Sequence, residues 1–176
     1  MEASLTLSAI ALTFSLIAIV VSAVLTLQQL RLMRHANLLP VMIEAFRDFR
    51  SSTFSEHLDF IEGLQDRYPP EKCAFDDLPE SARTRATVVA VFFNDIGILL
   101  ANGIIDETLV SSYMGRSVLR AWNSLGPYIV RTRAQRKDPN LVLFFEHLAV
   151  IVSRNSPAKL NRRLDLQTMP PLESYA

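Results

Sequence analysis

Two look-alike stretches hold the residues most able to do chemistry. They are Asn94 and Asp95 in "VFFNDIGILL" (residues 91–100), and Glu146 and His147 in "LFFEHLAVIV" (residues 143–152). Each stretch has two phenylalanines, two polar residues and then an apolar run. Carboxylates and an imidazole are competent for metal ligation or proton transfer. A carboxylate-bridged di-metal bundle, however, needs four carboxylates and two Glu-x-x-His pairs. The chain has no Glu-x-x-His, no His-x-x-x-His and no His-Glu-x-x-His. Its three histidines, His35, His57 and His147, stand in separate segments without ligand spacing. The five glycines are isolated, so there is no phosphate-cradling loop. Gly-x-Ser-x-Gly is absent, and the single cysteine, Cys73, has no adjacent base. No catalytic residue, metal or cofactor is expected.

A helical wheel at 100° per residue separates the two stretches. In the first, Asn94 falls on a stripe of small residues (Thr87, Ala90, Gly97, Ala101), which lets another helix approach closely. Asp95 falls among Val88, Val91 and Leu99, on an apolar flank. In the second, the core face is Leu141, Phe144, Phe145, Leu148, Ile151 and Val152. Glu146 points nearly opposite that face, and His147 lies at its edge. The matched letters occupy different sides of their helices, so the stretches share a composition and are not a repeat. A buried carboxylate needs a partner. The expectation is therefore a buried polar network in which Asp95, with Asn94 and Glu146 nearby, meets one of Arg116, Arg120 and Arg131.

The elements that must position these residues read as all-α. The chain has 176 residues, 49% of them hydrophobic, which suffices for one domain and an appendage. No charged residue occurs from residue 3 to residue 30. Residues 5–27 are apolar apart from Ser and Thr, and as a helix would be about 34 Å long, enough to cross a hydrocarbon layer of about 30 Å. The start "MEAS" carries an acid and no base, unlike a signal peptide, so an uncleaved single-span anchor is expected. Arg31 and Arg34 follow the span and no base precedes it, which puts the N-terminus outside and the remainder in the cytoplasm.

Beyond the span, apolar residues recur at helical spacing and no stretch alternates like a strand. Pro40 opens a helix carrying Met42, Ile43, Phe46 and Phe49. Thr53 and Glu56 have capping-box spacing at the start of the next helix. "YPPEKCAFDD" reads as a loop. A long helix runs from Pro79 to about Asn102, closed by Gly103. It is apolar enough to suggest a second span, but Asn94-Asp95 at its middle favours a buried core helix. Asp106 caps a short helix, another passes through Trp122, and Gly126-Pro127 should kink or break it. The last helix starts at Asp138-Pro139. The organisation expected is an anchor and juxtamembrane extension (1–36), an antiparallel bundle of five to six helices (37–155) and an irregular tail (156–176).

Charge is uneven along a chain whose net charge is zero. Residues 111–163 hold ten bases and two acids. Beside a tethering membrane, Arg131, Arg133, Arg136 and Lys137, together with Arg31 and Arg34, are candidates to face anionic lipid. Aromatics do not interleave with these bases, which disfavours nucleic acid as a partner.

The order of the segments "LLPVMIEAFRDFRS", "FFNDIGILLANGIIDETLV", "SVLRAWNSLGPYIVRTR" and "DPNLVLFFEHLA" resembles a family of uncharacterised bacterial proteins, abundant in actinobacteria, described as a domain of unknown function. The likeness covers roughly residues 37–151. It implies a membrane-anchored helical domain of the bacterial inner membrane and gives no activity. It also implies that Glu146 recurs, which for an acid off the core points to an ion pair or a contact surface. The function expected is a non-enzymatic, single-pass accessory or adaptor domain, partnered by the bilayer and by a membrane protein or a second copy. The alternative is a small membrane-associated enzyme or ligand-binding module with a pocket around Asp95.

Overall fold

The computed structural model describes residues 14–26, 29 and 39–167. Among these there are eight α-helices, one 3-10 turn and no strand. The chain divides into two compact units, residues 1–44 and 45–176.

In the first unit, α1 (Phe14–Thr26) is an apolar helix whose side chains are exposed on every face. Thr26 shows how a hydroxyl is tolerated there: its Oγ1 donates to the Ser22 carbonyl at 2.8 Å. The rest of the apolar run lies outside the described residues, as do Arg31 and Arg34. α2 (Leu39–Phe49) carries the chain across the boundary between the units.

The second unit contains α3 (Ser52–Glu62), α4 (Leu64–Arg67), the 3-10 turn Phe75–Asp77, α5 (Glu80–Ala101), α6 (Glu107–Arg136), α7 (Leu143–Arg154) and α8 (Pro157–Arg163). Among the described residues α5 alone is long and apolar enough to cross a membrane. It nevertheless packs against α3, α6 and α7, burying Ala86, Val89, Phe93 and Ile96. α5, α6 and α7 run alternately in opposite directions. Early α5 and late α6 line one cavity, while Gly115 of α6 lies against Val152 and Trp122 against Phe145. The core is aromatic: Phe93 stacks on Phe145 at 5.4 Å, and Phe49, Phe54 and Phe92 extend the cluster. The two look-alike stretches thus meet through their phenylalanines. Offset and edge-on aromatic pairs add about 0.5–1.5 kcal/mol each beyond their burial.

Several boundaries differ from the sequence reading. α6 is one helix of 30 residues with Pro127 inside it, where two helices and a kink or break at Gly126-Pro127 were expected. Proline removes the donor that Asn123 O would receive and clashes with it. Here Gln65 Nε2 donates to that carbonyl at 2.7 Å and to Ser124 O at 3.0 Å, so the turn stays satisfied. The cap of α3 is Ser51, which accepts from Phe54 N at 3.2 Å, rather than Thr53. α7 begins at Leu143, because Asp138 spends its carboxylate on the Asn140 N–H in a turn. Residues 157–163, expected to be irregular, form α8: Ser156 caps it, Leu160 is buried, and Arg163 pairs with Glu107 of α6 at 3.2 Å. The cap at Asp106 and the closure of α5 by Gly103, at φ 66°, are as the residue types require.

Candidate functional site

The polar residues singled out by type do not converge. Asp95 is exposed on α5, and no ion pair involves it among the described residues. Its wheel position put it on an apolar flank, but Val88 and Val91 on that flank are themselves exposed, at 41% and 45%. Arg116 is exposed, and Arg120 pairs with Glu62 of α3. Glu146 pairs with Arg133, whose side chain is only 13% exposed and whose Nε also donates to Leu141 O at 2.9 Å. Glu146 thus takes an ion pair with an arginine, one of the two roles expected of it, and the pair ties α7 to α6; none of the three arginines proposed for Asp95 meets that carboxylate among the described residues. Asn94 is half-buried, with its Oδ1 unpartnered. The close approach expected on its stripe occurs at Gly97, where an added Cβ would overlap the Phe144 carbonyl. His147 is exposed. No group of three or more metal-capable side chains forms among the described residues.

Most of the basic run is also occupied. Tyr128, Arg131, Thr132 and Arg136 lie at helical spacing along one side of α6 and hold the 68–76 loop. Tyr128 Oη donates to Tyr68 O, and Arg131 Nη1 to Glu71 O. Thr132 Oγ1 accepts from Phe75 N at 2.9 Å. Arg136 grips the Asp76 carboxylate through two bonds of 2.7 and 2.5 Å. A loop has few backbone partners of its own, so these side chains satisfy groups that burial would otherwise strand. Burial pushes the Tyr128 hydroxyl up to about 12, keeping it a donor. Of the six bases expected to face lipid, Arg31 and Arg34 lie outside the described residues, Arg131, Arg133 and Arg136 are engaged within the fold, and Lys137 ends α6 in the left-handed conformation at φ 55°.

Holding this loop against α6 shapes a cavity of about 560 Å³. Its walls are the 3-10 turn (Phe75, Asp76), α5 (Arg83, Thr87, Ala90, Val91), α6 (Ile129, Thr132, Arg136) and the 141–142 connection. That volume is in the range of small-molecule sites, and six apolar lining residues stand beside five polar or charged ones. Asp76 links its two arginines: the carboxylate takes Arg136, and the backbone carbonyl accepts from Arg83 Nη1 at 3.1 Å. No residue pattern pointed to it, since its charged members come from three separate segments.

The geometry defines an all-α domain with a cleft of about 560 Å³ between α5, α6 and the 3-10 turn. A family model described as "Domain of unknown function (DUF4760)" matches residues 16–151, and the chain belongs to that family. No curated protein and no solved structure matches the chain.

Proposed function

We propose that this protein is a single-pass, membrane-anchored accessory domain that works by binding, as a subunit or adaptor of a membrane complex. In this reading residues 5–27 cross a bacterial inner membrane and the helical domain lies in the cytoplasm. The observation that carries it is the charge-free run from residue 3 to residue 30, within which α1 leaves Phe14, Leu16, Ile17, Ile19 and Val20 between 55% and 70% exposed. A helix apolar all round is at home in lipid or a protein core, and costly in water. Arg31 and Arg34 on its C-terminal side favour a cytoplasmic domain. Support for binding over catalysis comes from how the polar side chains are used: Glu146, Arg120 and Arg131 hold helices and a loop together. Reporter fusions after Ala176 test the reading. A reporter active only in the cytoplasm should work, and one active only outside should not. The reverse pattern would overturn the orientation, and recovery of the full chain in the soluble fraction would overturn the anchor. Affinity purification from native membranes would then identify the membrane protein or second copy that it engages.

A further inference from the structure

The cavity between α5, α6 and the 3-10 turn carries unbalanced charge. Arg83 is half-buried in its wall, and its Nη1 donates to the Asp76 backbone carbonyl at 3.1 Å. No carboxylate pairs with Arg83 among the described residues. Arg136 shares the rim but is matched by the Asp76 carboxylate. The lining holds two cations and one anion, Asp138 lies near Arg136 as well, and Arg83 beside Ala90, Val91 and Ile129 is the cation without a paired carboxylate. A guanidinium partly withdrawn from water without a counter-charge is costly, and a bound anion would relieve that cost.

A second observation lies on the lip of the same cavity. Val142 lines it at φ 46°, ψ 40°. A β-branched residue in the left-handed region is an outlier, and such strain gathers where a backbone is held in place for a ligand. The strained residue and the uncompensated arginine face one space.

The geometry points to a binding site for a singly charged anion with an apolar body, its head on the Arg83 guanidinium and its body against Ala90, Val91 and Ile129. A medium-chain carboxylate is the simplest molecule of that class. A multiply charged head would exceed the single positive charge available, and a neutral chain would leave Arg83 unmatched. The site is independent of how the N-terminal segment is placed in a membrane.

Octanoate is the probe, titrated by calorimetry into the full chain in nanodiscs of zwitterionic lipid, with empty nanodiscs subtracted. Octanol supplies the body without the charge, and acetate the head without the body. Saturable, one-site binding of octanoate at least tenfold tighter than either is expected. Arg83→Gln should remove the preference for octanoate over octanol while leaving octanol unchanged. Val91→Trp should fill the space and weaken both. The proposal is overturned if wild-type protein binds octanoate no better than octanol, a comparison that needs no variant to fold. It is equally overturned if folded Arg83→Gln keeps the preference, or if folded Val91→Trp binds octanoate as wild type does.

Discussion

The side-chain amide of Gln65 occupies the place of the backbone donor that Pro127 lacks, 2.7 Å from the Asn123 carbonyl. α4 thereby repairs α6 across 58 residues of sequence. The carbonyl is near the surface, so water can partly replace the amide. Gln65→Ala should cost about 1 kcal/mol, the net worth of an ordinary hydrogen bond. In a Pro127→Ala background the helix supplies its own donor and the same change should cost less. Urea unfolding followed by the fluorescence of Trp122, the single tryptophan, measures this cycle. Equal costs in the two backgrounds would mean that Gln65 and Pro127 are uncoupled.

Gly97 lies against the backbone of Phe144, where an added Cβ would overlap a carbonyl. Backbone cannot swing aside as a flexible side chain can. Gly97→Ala should therefore destabilise by about 1–3 kcal/mol through overpacking, despite alanine's better helix propensity. At exposed Ala101, one turn further along the stripe, Ala101→Ser should stay within about 0.5 kcal/mol. A neutral or stabilising Gly97→Ala would show that α5 and α7 do not approach so closely.

Helix type, the Asp106 cap, the Gly103 closure and the tight contact on the Asn94 stripe were legible because each depends on a local rule of residue type and spacing. Asp95 was misread because a wheel ranks positions on one helix and cannot say which flank a neighbour covers. The continuity of α6 was hidden because its proline is repaired from Gln65, far away in sequence. Residues 156–176 were read as an irregular tail because α8 is short and its hold on Glu107 is tertiary. The cavity was invisible for the same reason: Asp76, Arg83 and Arg136 are brought together by the way α6 holds the loop.

Arg133 is the more deeply placed partner of Glu146: their side chains are 13% and 37% exposed. Removing the carboxylate would leave a guanidinium short of its counter-charge. A fully buried pair broken this way costs about 3–5 kcal/mol, and the exposure of Glu146 should reduce that to about 1–2 kcal/mol for Glu146→Ala. Asp95→Ala, by contrast, should change stability by no more than about 0.5 kcal/mol, since Asp95 is exposed. Urea midpoints of the two variants beside wild type decide the matter. A larger loss at Asp95 than at Glu146 would reverse the assignment.

The Asp106 cap makes part of the stability of α6 depend on pH. Burial alone would push its carboxyl up. The Leu109 and Thr108 N–H groups, which it accepts at 3.2 and 2.7 Å, together with nearby Arg163, outweigh this and hold it below the usual carboxylate range. A group whose value is lower folded than unfolded stabilises the fold above the unfolded value, about 4, and loses that contribution as pH falls through the folded one. At neutral pH, Asp106→Ala should cost about 1 kcal/mol, the typical worth of an N-cap. That gap from wild type should narrow as pH falls below about 4, because the wild-type cap is then protonated. Asparagine caps about as well without titrating, so the gap between Asp106→Asn and Asp106→Ala should hold steady over the same range. Urea unfolding of the three proteins from neutral pH into the acid range reads both gaps. A wild-type gap that stays constant while the asparagine gap shrinks would remove the Asp106 carboxylate from the acid response of this helix.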